Sequence, residues 1–232
     1  MKKTIYIVHG WSTGPQNQDK WVLFRSLLEK GGFTTVFLKL PGLTTKLDTA
    51  WTLTDYVVWL EAQLPKQEAV FLLGHSFGGQ ISCQFAAQYP DRISKLVLVD
   101  SAGIIDRSVL KVCKRFIFKY LAKVGKIIFR SDFFRKILYK LAREKDYFNA
   151  NEVQRKIMSN VINTEITSYL PEIKCETLIV WGEHDTVTPI QFAQIFRNKI
   201  KQSQLFIVPG AYHSPQFTHS KEVANRVKAF LR

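Results

Sequence analysis

Six short, continuous runs of apolar residues are the feature that most limits how this chain can fold. They are rich in β-branched and aromatic side chains and do not alternate with polar residues, which is typical of strands covered on both faces. The runs are Thr4–Val8, Thr35–Leu38, Val70–Leu73, Leu96–Val99, Thr177–Trp181 and Leu205–Val208. Helix-spaced apolar residues lie between them, at 20–30, 53–64, 80–89, 189–199 and 220–231. The alternation predicts an α/β fold, a mostly parallel sheet with helices on both faces.

The alternation stops once, between the fourth and fifth predicted strands. Residues 104–170 show helical patterning rich in Lys and Phe and no clear strand. We therefore predict a core formed by residues 1–103 and 171–232, with a helical cap inserted at 104–170. Ligands of parallel sheets bind beyond the carboxyl ends of the strands, and a cap inserted after a strand end would cover that crevice.

The net charge of +14 is concentrated in the predicted cap. From Ile104 to Asp146, thirteen Lys or Arg stand against four acids, so this segment carries +9. Lys111, Arg115, Lys119 and Lys123 recur every four residues, on one face of a predicted helix. Three interpretations stay open: a solvated face, a helix resting on an anionic membrane, and attraction of acidic substrates. No recognition motif accompanies the charge, so nucleic acid is not an expected partner.

The cysteines and the N-terminus bear on location. Cys83, Cys113 and Cys175 are odd in number and form no CxxC pair, which favours reduced thiols and a cytoplasmic location. The apolar run that follows the two initial lysines is too short for a signal-peptide core.

The segment Gly74-His75-Ser76-Phe77-Gly78 fits the G-x-S-x-G pattern between a predicted strand and a predicted helix. That context is typical of a nucleophile elbow, a turn tight enough to expose one hydroxyl. Gly74 and Gly78 let the strand and the helix approach without side-chain clash. We expect the backbone N–H groups of Phe77 and Trp11 to form an oxyanion hole, with Gly10 allowing close approach.

A serine nucleophile needs a base, and the base needs an acid that orients it. Asp185 follows the fifth predicted strand and His213 follows the sixth, so both lie at the same sheet edge as Ser76. Their chain order is that of an elbow hydrolase. We predict Ser76, His213 and Asp185 as the catalytic residues. The alternatives are Asp100 and Glu183 for the acid, and His75, His184 and His219 for the base.

These motifs together resemble the α/β-hydrolase superfamily, and within it small capped bacterial hydrolases that include esterases and carbon–carbon bond hydrolases. The resemblance covers nearly the whole chain. It is carried by VHGW at 8–11, LPG at 40–42, GHSFGG at 74–79, LVLVDSAG at 96–103, WGEHDTVTP at 181–189 and PGAYH at 209–213. It implies an eight-stranded family core, of which this sequence shows the strands from the one before His9 onward. Relatives that use a carboxylate at the elbow differ in chemistry, because Ser76 stands there.

The expected activity is that of a carboxylesterase acting on a small ester or acyl substrate through an acyl-enzyme. Two alternatives remain: carbon–carbon bond hydrolysis on the same fold, and slow-turnover ligand binding by a hydrolase-like protein. No metal-ligand cluster, phosphate loop or dinucleotide fingerprint appears in the sequence, so we expect neither metal nor cofactor.

Overall fold

The computed structural model describes residues 3–12, 17–105 and 150–232. Within them six parallel strands form one sheet, in the order β2-β1-β3-β4-β5-β6. The strands are β1 (Thr4–Val8), β2 (Thr34–Leu38), β3 (Val70–His75), β4 (Ile93–Val99), β5 (Glu176–Gly182) and β6 (Ser203–Val208). Each predicted apolar run lies inside one of these strands, which confirms the α/β class and the parallel sheet.

Seven described helices accompany the strands. They are α1 (Asn17–Glu29), α2 (Leu53–Gln63), α3 (Phe77–Gln88), α4 (Glu152–Ile162), α5 (Ile190–Lys199), α6 (Pro215–Thr218) and α7 (Ser220–Leu231), with short 3₁₀ turns at Pro90–Arg92 and Leu170–Glu172. Helix α3 begins three residues before the predicted start at residue 80, because Ser76 is already its N-cap. The turn between β3 and α3 is therefore a single residue.

Two apolar layers cover the sheet, one on each face. On one face the buried side chains of α1 and α7, such as Trp21, Phe24 and Val227, pack against Ile5, Ile7 and other strand residues. The opposite layer joins the remaining strand side chains to buried residues of α2, α3, α4 and α5. Burial on both faces explains why the strands appear in the sequence as continuous apolar runs.

The strand order places a switch point beside β1. Because β2 and β3 lie on opposite sides of β1, the chain leaves β1 in one direction and reaches β3 in the other. A crevice opens at such a point, beyond the carboxyl ends of the strands. The loop that starts at His9 and the turn at Ser76 both follow strands that border it.

Helix α4 packs into the apolar layer that also contains buried residues of α2, α3 and α5. It starts with a capping box between Asn151 and Gln154, and Ile157 and Val161 are buried in the layer. The side-chain amide of Gln80 donates to the carbonyl oxygen of Val161 at 3.2 Å. The predicted cap boundaries, 104–170, stay a prediction, since residues 106–149 lie outside the described residues. The basic residues between Lys111 and Lys123, on which the membrane interpretation depends, also lie outside the described residues.

None of the helices in the described ranges is both long and apolar enough to cross a bilayer. The cytoplasmic location stays a prediction from the cysteines.

Candidate active site

Ser76 occupies a strained turn between β3 and α3. Its backbone has φ 52° and ψ −116°, a region that residues other than glycine rarely adopt. The surrounding backbone holds it there: the Ser76 N–H donates to Val99 O at 3.0 Å, and the Ala102 N–H donates to Ser76 O at 2.9 Å. Strain of this kind costs about 1–3 kcal/mol and persists only where neighbouring structure fixes it. The side chain is half-buried at the sheet edge.

The glycines around Ser76 leave no room for a side chain. A Cβ on Gly78 would lie 2.0 Å from the carbonyl oxygen of Val8, and one on Gly74 would lie 2.6 Å from the carbonyl oxygen of Gly78. A Cβ on Gly10 would lie 2.7 Å from Nδ1 of His75. Strand β1, strand β3 and helix α3 therefore meet at their closest approach under the serine, as the sequence predicts for these three glycines.

His213 and Asp185 lie beside Ser76 and form one chain of hydrogen bonds with it. Nε2 of His213 is 3.1 Å from Oγ of Ser76, and Nδ1 of His213 is 2.8 Å from Oδ2 of Asp185. The three residues come from the ends of β3, β5 and β6, far apart in sequence. The structure thus brings together the serine, histidine and acid that the sequence singles out.

Asp185 is held as a carboxylate by hydrogen-bond donors on every side. Oδ1 accepts the N–H groups of Val187 at 2.7 Å and Thr188 at 3.0 Å, and Oδ2 accepts the Thr188 hydroxyl at 2.7 Å. Burial alone would raise the pKa of Asp185. The hydrogen bond and charge of His213, together with the donors of Thr188, outweigh it and hold that pKa below its ordinary value. An ionised Asp185 stabilises a positive charge on His213.

Asp100, the rival acid, has a different set of partners. Its Oδ1 accepts the Gly182 N–H at 2.9 Å and its Oδ2 accepts the Ser214 N–H at 2.8 Å. Full burial raises the pKa of Asp100 to about 7, although the charge of His213 and the two backbone donors act in the opposite direction. Among the described contacts it is Asp185, and not Asp100, that is hydrogen-bonded to His213.

The other histidines do not contact the Ser76 hydroxyl in the described structure. Nε2 of His75 is 3.1 Å from Oγ of Ser214, and full burial holds the pKa of His75 well below its ordinary value. His184 is exposed, with Nε2 3.8 Å from a carboxylate oxygen of Glu183. Glu183 accepts the Gly210 N–H at 2.8 Å and so ties two loops at the surface. His219 is the N-cap residue of α7.

Two backbone N–H groups are candidates for holding an oxyanion. Phe77 is the first residue of α3, so its N–H has no acceptor within the helix. The N–H of Trp11 belongs to the peptide whose carbonyl is Gly10 O. The Trp11 ring packs 6.3 Å from the ring of Phe77.

The sequence analysis did not identify His9 and Thr188, whose side chains make contacts that support the site. Nδ1 of His9 is 2.7 Å from Gly10 O, and Nε2 of His9 accepts the Leu40 N–H at 3.3 Å, which places the imidazole proton on Nδ1. Because a peptide is planar and trans, fixing Gly10 O also fixes the direction of the Trp11 N–H. The VHGW motif marks His9, whereas nothing in the sequence separates Thr188 from its neighbour Thr186.

Asp100, Asp185 and His213 bring possible metal-ligand atoms within 4.8 Å of one another. Both oxygens of each carboxylate, however, already accept N–H or O–H groups of the protein. A cation between them would face hydrogen-bond donors, so we assign no metal to this cluster.

Comparison with known proteins agrees with this fold. The family model for the alpha/beta hydrolase fold matches residues 3–151, and a model described as TAP-like protein matches residues 158–232. A crystal structure described as a membrane phospholipase A and bacterial virulence factor superposes with a TM-score of 0.74 at 21% identity, covering 99% of this chain and 78% of that one.

Relatives similar in sequence include a lipase and a hydrolase of another kind. Lipase 3 of Moraxella sp. (strain TA144) is 27% identical over 174 residues, which are 68% of this chain and 54% of that lipase. The 2-hydroxy-6-oxononadienedioate/2-hydroxy-6-oxononatrienedioate hydrolase 1 of Pseudomonas putida is 21% identical over 99% of this chain and 88% of its own length. The chain spans about half the length of the lipases it matches. The family model alone covers more than half of this sequence, and the chain therefore belongs to the α/β-hydrolase fold family.

Proposed function

We propose that this protein is a serine hydrolase that cleaves carboxylic esters through a covalent acyl-enzyme, in the manner of a carboxylesterase. The observation that carries the proposal is the continuous chain from Oγ of Ser76 through the imidazole of His213 to the carboxylate of Asp185, with steps of 3.1 and 2.8 Å. Both are hydrogen-bond distances, and the first is within reach of direct proton transfer from Ser76 to His213.

The first half of the reaction forms the acyl-enzyme. Oγ of Ser76 attacks the ester carbonyl carbon while its proton passes to Nε2 of His213. Asp185 accepts the Nδ1–H and stabilises the imidazolium, which then gives the Nε2 proton to the departing alcohol as the carbon–oxygen bond breaks. In the second half a water repeats these steps on the acyl-enzyme, and Ser76 leaves with its proton restored.

Negative charge develops on the carbonyl oxygen in both halves. In this proposal the N–H groups of Phe77 and Trp11 receive it, and the positive end of the α3 dipole adds to the stabilisation. A donor of this kind contributes about 3 kcal/mol to the transition state. The hydrogen bond from His9 to Gly10 O supports the role of Trp11, since it polarises and orients the same peptide.

Carbon–carbon bond hydrolysis is the second candidate. It is favoured by one observation, the likeness to the Pseudomonas putida hydrolase over 99% of this chain. The same serine, histidine and acid would serve it, because an acyl group is again released to water. A panel of p-nitrophenyl esters of increasing chain length, assayed beside a vinylogous 1,5-diketone substrate, separates the two reactions by their relative kcat/KM.

The decisive experiment compares the wild type with Ser76→Ala and with a control, Ser203→Ala. Ser203 is buried and donates a hydrogen bond to Ile200 O, but it begins β6 at the opposite end of the sheet. We expect a fluorophosphonate probe to label the wild type and Ser203→Ala and to spare Ser76→Ala. We also expect Ser76→Ala to lose at least a thousandfold in kcat. Tight binding of a small ligand without turnover of any ester or diketone would instead identify a receptor-like protein.

A further inference from the structure

Asp100 is a buried acid that the proposed reaction does not use. It follows β4, which lies between the strands that carry Ser76 and Asp185, and its side chain is fully buried. Its backbone has φ 43°, in the left-handed region. Aspartate adopts that region more readily than most residues, but still at some cost. A buried charge in a strained backbone calls for a reason at this position.

The Asp100 carboxylate joins the two loops that complete the site. Oδ1 accepts the N–H of Gly182, the last residue of β5 and three residues before Asp185. Oδ2 accepts the N–H of Ser214, the residue directly after His213. One carboxylate thus fixes the starting point of the Asp185 loop and the end point of the His213 loop.

The hold on Ser214 is the more specific of the two. Ser214 has φ 89°, a conformation that a serine disfavours, and its N–H and hydroxyl are both anchored. Its N–H binds Asp100, and its Oγ lies 3.1 Å from Nε2 of His75. Because this strained peptide follows His213 directly, its conformation sets the direction in which the imidazole leaves the backbone.

We propose that Asp100 is a positioning residue, whose carboxylate holds the imidazole of His213 and the carboxylate of Asp185 in register with Oγ of Ser76. The inference rests on the proposed hydrolase function. Asp100 acts through two backbone N–H groups and does not touch the reacting atoms.

The two hydrogen bonds by which the Asp100 carboxylate holds the N–H groups of Gly182 and Ser214, here called the clamp, depend on the charge state of Asp100. A carboxylate offers acceptors to both N–H groups, whereas a carboxylic acid turns one O–H toward a group that is itself a donor. Burial raises the pKa of Asp100 to about 7, the charge of His213 lowers it, and that of Asp185 raises it. His75 contacts the Ser214 hydroxyl, and burial holds the pKa of His75 well below its ordinary value. The clamp is therefore complete above neutral pH and loses one bond below it.

The test is Asp100→Asn in the full-length protein, with kcat normalised to active sites by burst titration. Asparagine keeps the shape and tolerates the left-handed backbone, but like the protonated acid it accepts only one of the two N–H groups. At pH 8 we expect a loss of roughly 10–100-fold in kcat, equivalent to one or two lost supporting contacts. KM for a short ester should change by less than about threefold, since no substrate contact is removed.

The pH dependence separates positioning from mere stability. The wild type and Asp100→Asn should converge below about pH 6, where the wild-type carboxyl is itself protonated, and diverge as pH rises through about 7. Asp100→Ser, which also lacks an ionisable group, should behave alike and serves if the asparagine variant does not fold. Ser203→Ala, which also loses a buried hydrogen bond, should keep the wild-type kcat and pH profile.

A constant ratio of wild-type to variant kcat from pH 5.5 to 8.5, or unchanged kcat at pH 8, overturns the inference. These outcomes are distinct from failure of the proposed function, which would appear as an unlabelled, inactive wild type. If the wild type turns over esters and Asp100→Asn equals it at every pH, only the role of Asp100 is lost.

Discussion

Replacing Asp185 with asparagine tests the proposed chain of hydrogen bonds at its least exposed member. An amide has one oxygen and one NH₂ group. If that oxygen accepts the two N–H groups that Asp185 Oδ1 now accepts, those of Val187 and Thr188, the NH₂ group must face Nδ1 of His213. The amide then donates to Nδ1, and the ring proton moves to Nε2. Nε2 lies 3.1 Å from Oγ of Ser76 and can no longer accept its proton.

The expected loss follows from that tautomer. The corresponding Asp-to-Asn change in a serine protease lowers kcat about 10⁴-fold with the geometry intact. For Asp185→Asn we expect a roughly 10³–10⁴-fold loss, which is about 4–5.5 kcal/mol in the activation free energy at 1.36 kcal/mol per tenfold. KM should change little, because Asp185 is buried behind His213 and away from substrate.

The assay is p-nitrophenyl butyrate hydrolysis at pH 8, corrected for the fraction of protein that reacts with a fluorophosphonate. Glu183→Gln is the matched control: its carboxylate lies two residues away and accepts the Gly210 N–H at the surface. We expect the control to keep kcat within about threefold, as a surface hydrogen bond contributes little. If Asp185→Asn keeps more than a tenth of the wild-type kcat, the assignment of the acid is wrong.

Three further substitutions probe the surroundings of the site. Gly78→Ala should lower the free energy of unfolding in urea by roughly 3 kcal/mol or more, because the new Cβ meets backbone atoms of Val8 that cannot shift cheaply; a loss below 1 kcal/mol would contradict this packing. Burial lowers the pKa of His9 to about 4, so His9 should contribute about 3 kcal/mol to the stability that the wild type loses as pH falls from 6.5 to 4, and His9→Asn should lack that contribution. Equal slopes of stability against pH for both proteins would refute it. Thr188→Val removes one donor to Asp185 and should lower kcat roughly tenfold without changing KM, measured by the same ester assay; full activity would show that the hydroxyl is dispensable.

The sequence predicted the strands well where both faces are apolar and less well where one end is polar. Strand β4 begins at Ile93, three residues before the predicted run. The prediction started too late because Ser94 and Lys95 interrupt the apolar pattern. Lys95 is accommodated by its ammonium group, which lies 5.0 Å from the centre of the Phe230 ring and forms an ion pair with Glu176 at 3.1 Å. Such compensation depends on residues distant in sequence, so no local pattern contains it.

The residues of the site could be predicted from the sequence, but their hydrogen-bond partners could not. Strand ends and chain order placed Ser76, Asp185 and His213 at one sheet edge, since parallel strands share that edge. Order alone did not decide between Asp185 and Asp100, because both follow strands whose carboxyl ends lie at the same edge of the sheet. The decision comes from which carboxylate reaches Nδ1 of His213 and which is occupied by backbone N–H groups.

The backbone itself gives an independent indication of where this protein acts. Among the described residues other than glycine, those with positive φ are Ser76 at 52°, Asp100 at 43° and Ser214 at 89°. Each such conformation costs about 1–3 kcal/mol, and such residues cluster where a geometry is needed for function. The three lie in separate segments of the chain yet meet through hydrogen bonds: Ser214 binds Asp100 through its N–H, and Ser76 N–H and Ala102 N–H tie the turn at Ser76 to the end of β4. This strain is confined to one connected patch around the serine whose hydroxyl lies 3.1 Å from His213. A preorganised site would require such strain, and an inert fold would have no reason to retain it.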